Sequence, residues 1–279
     1  MTDRISVLMC LFMVALALLS CSTGQEVYIP VSTTIQGLAK ELQLEAFIYK
    51  PSGSGPFPVV VFNHGSAGGN PTQSIPSKEQ ASYFVERGFA VIVPMRRGRG
   101  KSQGMSLESE ERNCDIKSWA PGLSAAFEDV TATIDYVQKL PFVDSSRVIL
   151  AGVSRGGFLS VAYAATGPRR SQIAGVINFV GGWVAQAEDN CPIDYNQVSF
   201  ADFGKQTKIP MLWLYGENDT FYLLDSIQSY LKAFRNSGGN VHFKLIQGVP
   251  ENGHWLPDYP KLWAGVVDDY LVSMGYARP

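Results

Sequence analysis

Val148-Ile149-Leu150-Ala151-Gly152-Val153-Ser154-Arg155-Gly156-Gly157-Phe158 packs an apolar run, a sharp turn and the start of a second apolar run into one short stretch. The first run, from Arg147 to Gly152, reads as a strand buried on both faces. The second, Gly156 to Ala165, reads as a helix. Between them lies Gly-x-Ser-x-Gly. A serine on such a strand-to-helix turn sits on a strained backbone, and glycines two residues to either side let the flanking backbones approach where a Cβ would clash. The helix N-terminus turns backbone N–H groups and the positive end of its dipole toward Ser154. In a chain this rich in glycine and serine the pattern means little by itself, and its setting between strand and helix is what gives it weight.

Outward from this turn, short apolar runs alternate with amphipathic segments. Strands are expected at Leu42–Tyr49, Val59–Phe62, Phe89–Pro94, Ile173–Val180, Met211–Tyr215 and Val241–Ile246. Helices are expected at Lys78–Arg87, closed by Gly88, and at Ser124–Leu140, Phe221–Phe234 and Leu262–Met274. This order predicts an α/β fold: a mostly parallel central sheet with helices on both faces and the site at the carboxyl ends of the strands. One domain is expected over residues 27–279.

A serine nucleophile needs a base, and the chain has three histidines. His64 follows an early buried strand. His242 lies inside the last strand, where it reads as a half-exposed sheet residue. His254 lies in Glu251-Asn252-Gly253-His254-Trp255, between the last strand and the last helix, and is the expected base. The acid is expected after the next-to-last strand, in Gly216-Glu217-Asn218-Asp219. Asp219 is preferred, with Glu217 and Asp225 as rivals. An acid there accepts the histidine Nδ1–H, fixes its tautomer and stabilises the imidazolium.

These segments resemble the α/β-hydrolase superfamily, nearest the dienelactone hydrolase-like esterases and the catalytic domains of prolyl oligopeptidase-like enzymes. The resemblance rests on Pro58-Val59-Val60-Val61-Phe62-Asn63-His64-Gly65, on Arg97-Gly98-Arg99-Gly100-Lys101-Ser102, and on the Ser154, Asp219 and His254 motifs. It implies an oxyanion hole built from the N–H of Arg155 and a donor in the loop after Gly65, at Ser66 or, alternatively, Ala67. There are two departures. Dienelactone hydrolases use a cysteine where this chain has Ser154. The family often has an aspartate before the Arg-Gly segment, where this chain has Met95-Arg96.

The apolar share of 46% supports a large core, and the net charge of -2 gives no reason to expect nucleic acid as a partner. The basic run Arg96 to Lys101 reads as arginines paired with carbonyls and carboxylates in a loop. No ligand spacing points to a metal, and no cofactor is expected.

The N-terminus differs from the rest. Arg4 precedes the apolar run Ile5 to Leu19, which reads as an export signal over residues 1–20. Leu18-Leu19-Ser20-Cys21 resembles a bacterial lipobox, with Cys21 lipidated and residues 21–26 as tether. The alternative is an ordinary cleaved signal with Cys21 incidental. An exported, membrane-anchored protein follows from the first reading, and Ser22 carries no inner-membrane retention signal. Cys114 and Cys191 are then an even pair in an oxidising compartment, either bridged or two buried thiols. They sit in two long loops, Ser106–Gly122 and Val184–Lys208, whose Trp119 and Trp183 are either pocket walls or core fillers.

Three functions fit. The first is hydrolysis of a carboxylic ester, small or carbohydrate-linked, through an acyl-enzyme. The second is peptide hydrolysis by the same residues; relatives of that kind often carry an added domain, for which this length leaves no room. The third is a non-catalytic lipoprotein of the same fold.

Overall fold

Residues 24–66, 70–108, 116–184 and 194–278 are described by the computed structural model. Eight strands form one sheet in the order β1-β2-β4-β3-β5-β6-β7-β8. They are β1 (Gln25–Ile35), β2 (Leu38–Tyr49), β3 (Phe57–Asn63), β4 (Ala90–Pro94), β5 (Val143–Val153), β6 (Ile173–Phe179), β7 (Met211–Gly216) and β8 (Val241–Ile246). Strands β3 to β8 run parallel to their neighbours, while β2 pairs antiparallel with both β1 and β4. The helices are α1 (Lys78–Val85), α2 (Ala120–Val137), α3 (Arg155–Thr166), α4 (Tyr195–Gln206), α5 (Leu224–Asn236) and α6 (Pro260–Ser273). Helix α1 packs on α6, and α2, α3, α4 and α5 form a continuous layer of neighbours. The expected α/β architecture is the one found.

The apolar runs read as doubly covered strands are so. Val59, Val60, Val61 and Phe62 of β3 and Val148 to Ala151 of β5 are all buried. Where a face is lost to solvent the pattern changes. In β1 the buried positions alternate with exposed ones, as an edge strand requires. The tether expected to run to residue 26 is therefore too long, because Gln25 and Glu26 already pair with Ile48 and Phe47 of β2.

One helix is added and several boundaries move, that of α5 with a clear cause. Helix α4 was not foreseen. It is capped by the Asp194 side chain, which accepts from Gln197 N, and it anchors itself through buried Phe200 and Phe203. Helix α5 starts at Leu224, not Phe221, because the N–H groups of Phe221 and Tyr222 are taken by the Asp219 carboxylate. The basic loop behaves as read: Arg97 pairs with buried Asp129, and Arg96 with Glu108.

Candidate active site

At the carboxyl edge of the sheet the parallel ladder continues into the loops. Ser154 N donates to Phe179 O at 2.9 Å, and Glu217 N donates to Ile246 O at 2.9 Å. Ser154 is thereby held at φ 53°, ψ -122°, outside the regions an L-residue prefers. Such backbone strain typically costs about 1–3 kcal/mol and persists only where the surroundings impose it. The surroundings here are tight: a Cβ on Gly156 would lie 2.0 Å from Asn63 O, so α3 can sit this close to β3 only with glycine at that position. Arg155 is the first residue of α3, ahead of the first helical bond from Phe158 N to Ser154 O, so its N–H lies among the leading donors of the helix.

Asp219 and His254 come from different loops and meet. His254 Nδ1 lies 2.9 Å from Asp219 Oδ2, and both side chains are almost fully buried. The other carboxylate oxygen, Oδ1, accepts from Phe221 N at 2.8 Å and Tyr222 N at 3.0 Å. With both lone-pair directions used, the carboxylate cannot rotate. Glu217 and Asp225, the rival acids, are exposed. The two loops are pressed together through facing glycines. A Cβ on Gly216 would lie 2.4 Å from Gly253 Cα, and Gly253 N donates to Asn218 O at 3.1 Å. Asn252, not foreseen as a site residue, ties them further: its Oδ1 accepts from His254 N and Thr220 N, and its Nδ2 donates to Thr220 Oγ1. Phe221 stacks on the His254 ring at 4.4 Å.

Ser154, Arg155, His254 and Ser66 line one cavity of about 760 Å³. Trp119 and Trp183, left open between wall and core, are both: each is buried and each lines this cavity. Ile75, Pro76 and Val184 add apolar surface, and Phe221 and Trp255 stand partly exposed at its mouth. Ser66 is exposed; the alternative donor Ala67 lies outside the described residues, as do Cys21, Cys114 and Cys191. His242 is on the exposed side of β8, in register with Leu212, and does not line this cavity.

His64 is not a second base. It is buried, its Nε2 accepts from Arg96 N at 3.2 Å, and its Nδ1–H donates to Gly65 O at 2.6 Å. Burial, reinforced by the Arg96 charge, lowers its pKa to about 3. Arg96 also donates to His64 O at 2.7 Å and Gly65 O at 3.4 Å, and it pairs with Glu108. Burial pushes the Glu108 carboxyl up, but the Arg96 charge and hydrogen bonds outweigh it and leave the group at about 2. Glu108 lies 3.8 Å from Arg155 as well. Arg96, standing where the family often has an aspartate, thus clamps the carbonyls just before Ser66.

This clamp predicts an acid sensitivity. An unfolded His64 takes up a proton as pH falls below about 6.5, while the folded one does not until about 3. Stability is therefore full above 6.5 and is lost on acidification through that window, by about 2 kcal/mol between pH 6.5 and 5. Glu108 adds its own loss only below about 4.5. Urea unfolding at pH 7, 6 and 5 should show this slope, and a His64→Asn protein should be less stable but flatter over the same range. Equal slopes in the two proteins would exclude His64 as the source.

The dienelactone hydrolase family model matches residues 44–254, a span that includes the serine turn, the Asp219 loop and His254. The chain belongs to the dienelactone hydrolase family. Within that family setting, this dienelactone hydrolase homologue is 29% identical over 149 residues to the quorum-quenching protein AidA of Acinetobacter baumannii, covering 53% of this chain and 44% of that protein. The chain spans less than half the length of the curated relatives it matches. Est1E from Butyrivibrio proteoclasticus, solved with ferulic acid bound, superposes with a TM-score of 0.62 at 19% identity, over 89% of this chain and 98% of that one. The acylaminoacyl peptidase of Pyrococcus horikoshii superposes with a TM-score of 0.62 at 18% identity, over 91% of this chain but 41% of its own. At these identities the two structures share the fold of the dienelactone hydrolase homologue and no more.

Proposed function

We propose that this protein is a serine hydrolase that cleaves carboxylic esters through an acyl-enzyme. The observation that carries the reading is the 2.9 Å pairing of His254 Nδ1 with a fixed Asp219 carboxylate on the wall of the cavity that Ser154 also lines. In that arrangement Nδ1 keeps its proton, so Nε2 is left as the base. Ser154 Oγ attacks the acyl carbon and its proton passes to His254 Nε2. The intermediate collapses, the C–O bond to the alcohol breaks, and the leaving oxygen takes that proton. Water then enters by the same route and releases the acid. The N–H of Arg155, with a second donor at Ser66, receives the negative oxygen of each tetrahedral intermediate, where one donor is typically worth about 10²–10³ in rate.

Esters are favoured over peptides because the cavity offers aromatic and aliphatic surface at Trp119, Trp183, Ile75 and Val184 beside polar groups such as Lys78 and Asp258, suited to a small or carbohydrate-linked ester with an apolar part. The N-terminal segment supports the further reading of an exported protein anchored to a membrane through lipid on Cys21.

A fluorophosphonate probe should label the protein at Ser154, and p-nitrophenyl acetate should be turned over at least 100-fold faster than an aminoacyl p-nitroanilide. Preferential turnover of the anilide would assign the protein to the peptidases. A folded protein that neither labels nor turns over either compound would be a non-catalytic member of the family.

A further inference from the structure

Tyr222 reaches every part of this site, although no motif draws attention to it. It is 2% exposed and lines the cavity. Its backbone N–H holds the Asp219 carboxylate at 3.0 Å. Its ring lies 5.5 Å from that of His254, tilted by 58°. The ring packs flat over Gly182, where a Cβ would meet its Cζ at 2.3 Å and its hydroxyl oxygen at 2.7 Å. Gly182 N in turn donates to Ser154 O at 3.3 Å, so the phenol oxygen is delivered beside the nucleophile. The Ser154 side chain lines the same cavity and is the polar group nearest in influence to that phenol.

We propose that Tyr222 is a fourth catalytic residue, whose phenol O–H donates to Ser154 Oγ and stabilises that oxygen when it leaves the acyl group. This rests on the serine-hydrolase reading above. The direction of the bond follows from proton supply. A serine hydroxyl has one proton and two lone pairs, and in the reading above that proton goes to His254 Nε2. Oγ can then only accept from Tyr222. Burial drives the phenol well above its ordinary pKa, so it keeps its proton at neutral pH and serves as a permanent donor.

In acylation this bond withdraws charge from the attacking oxygen, which gives no advantage. In deacylation the situation reverses. Water adds to the acyl carbon and gives its proton to His254 Nε2. The C–Oγ bond then breaks, its electron pair stays on Oγ, and the imidazolium returns the proton to Oγ. A hydrogen bond from the Tyr222 phenol to Oγ lowers the energy of that departure. Tyr222 neither gains nor loses a proton in the cycle.

Tyr222→Phe removes one oxygen and keeps the ring. With p-nitrophenyl acetate, kcat should fall about tenfold, which is about 1.4 kcal/mol. KM should fall with it, and a stopped-flow burst should approach one p-nitrophenol per enzyme as acyl-enzyme accumulates. The rate of fluorophosphonate labelling, which reports attack alone, should stay within about twofold. A purely structural role would slow labelling and turnover together, and that result overturns the proposal, as does an unchanged burst and kcat. If the phenylalanine variant fails to fold, 3-fluorotyrosine introduced at position 222 decides: it keeps the ring and is a stronger donor, so deacylation must be at least as fast as in the wild type, and slower deacylation overturns the proposal. Wild-type protein that does not label would overturn the serine-hydrolase reading and this one with it. Labelled wild type with no change in the phenylalanine variant overturns Tyr222 alone.

Discussion

Replacing Ser154 with alanine is expected to abolish measurable ester turnover, a loss on the order of 10⁶ in kcat if the nucleophile acts with its base as a unit. The fold should survive, since only one oxygen goes. Glycine at the same position should be equally inactive yet more stable. The backbone at φ 53°, ψ -122° burdens any residue with a Cβ, and glycine is relieved of it. Relief of about 1–3 kcal/mol, set against the entropy that glycine costs in the unfolded chain, should leave Ser154→Gly about 1 kcal/mol above Ser154→Ala. Thermal melts of the two variants measure this. A glycine variant that melts below the alanine variant would mean that the turn is not strained, and residual turnover in the alanine variant above about a hundredth of wild type would mean that another group attacks the ester.

The second large effect is expected from Asp219→Asn, a change nearly without steric consequence. The new side chain has one acceptor and one donor end. Two backbone N–H groups, from Phe221 and Tyr222, already point at the Oδ1 position and demand the acceptor there. The amide NH₂ is thereby forced toward His254, where it must donate to Nδ1. The histidine responds by carrying its proton on Nε2, the atom that should receive the proton of Ser154. A wrong tautomer of this kind typically lowers kcat by about 10⁴. KM should change little, because substrate contacts are intact. Nitrogen-15 NMR of labelled histidine should show His254 protonated at Nδ1 in the wild type and at Nε2 in the variant. A loss under tenfold would remove Asp219 from its assigned role.

These two arguments also mark where sequence reading stops. Ser154, Asp219 and His254 are legible because each follows a run that reads as a strand, buried for β5 and β7 and half-exposed at the edge for β8, and a parallel sheet sends all such strand ends to one edge. What surrounds them is not legible. Asn252 and Tyr222 act across gaps of roughly thirty to seventy residues, between loops whose approach depends on the packing of β7 against β8. Arg96 looks like one basic residue among several until burial against Glu108 and two carbonyls distinguishes it. The missed elements have equally physical causes. Strand β1 alternates like any half-exposed strand but contains Pro30, tolerated there because β1 is an edge. Helix α4 has a mean composition too polar to stand out, and it is held by two phenylalanines and a cap.

The interlocked glycines at 216 and 253 have a consequence for how this protein could be altered. With no side chain on either surface, the backbones carrying the acid and the base touch directly, so neither can shift without the other. That half of the cleft behaves as a rigid jaw. If the protein is the ester hydrolase proposed above, room for bulkier acyl groups has to come from other lining residues such as Ile75, Pro76 and Val184, and libraries that vary those positions should broaden substrate range, whereas insertions beside Gly253 should simply disarm the protein.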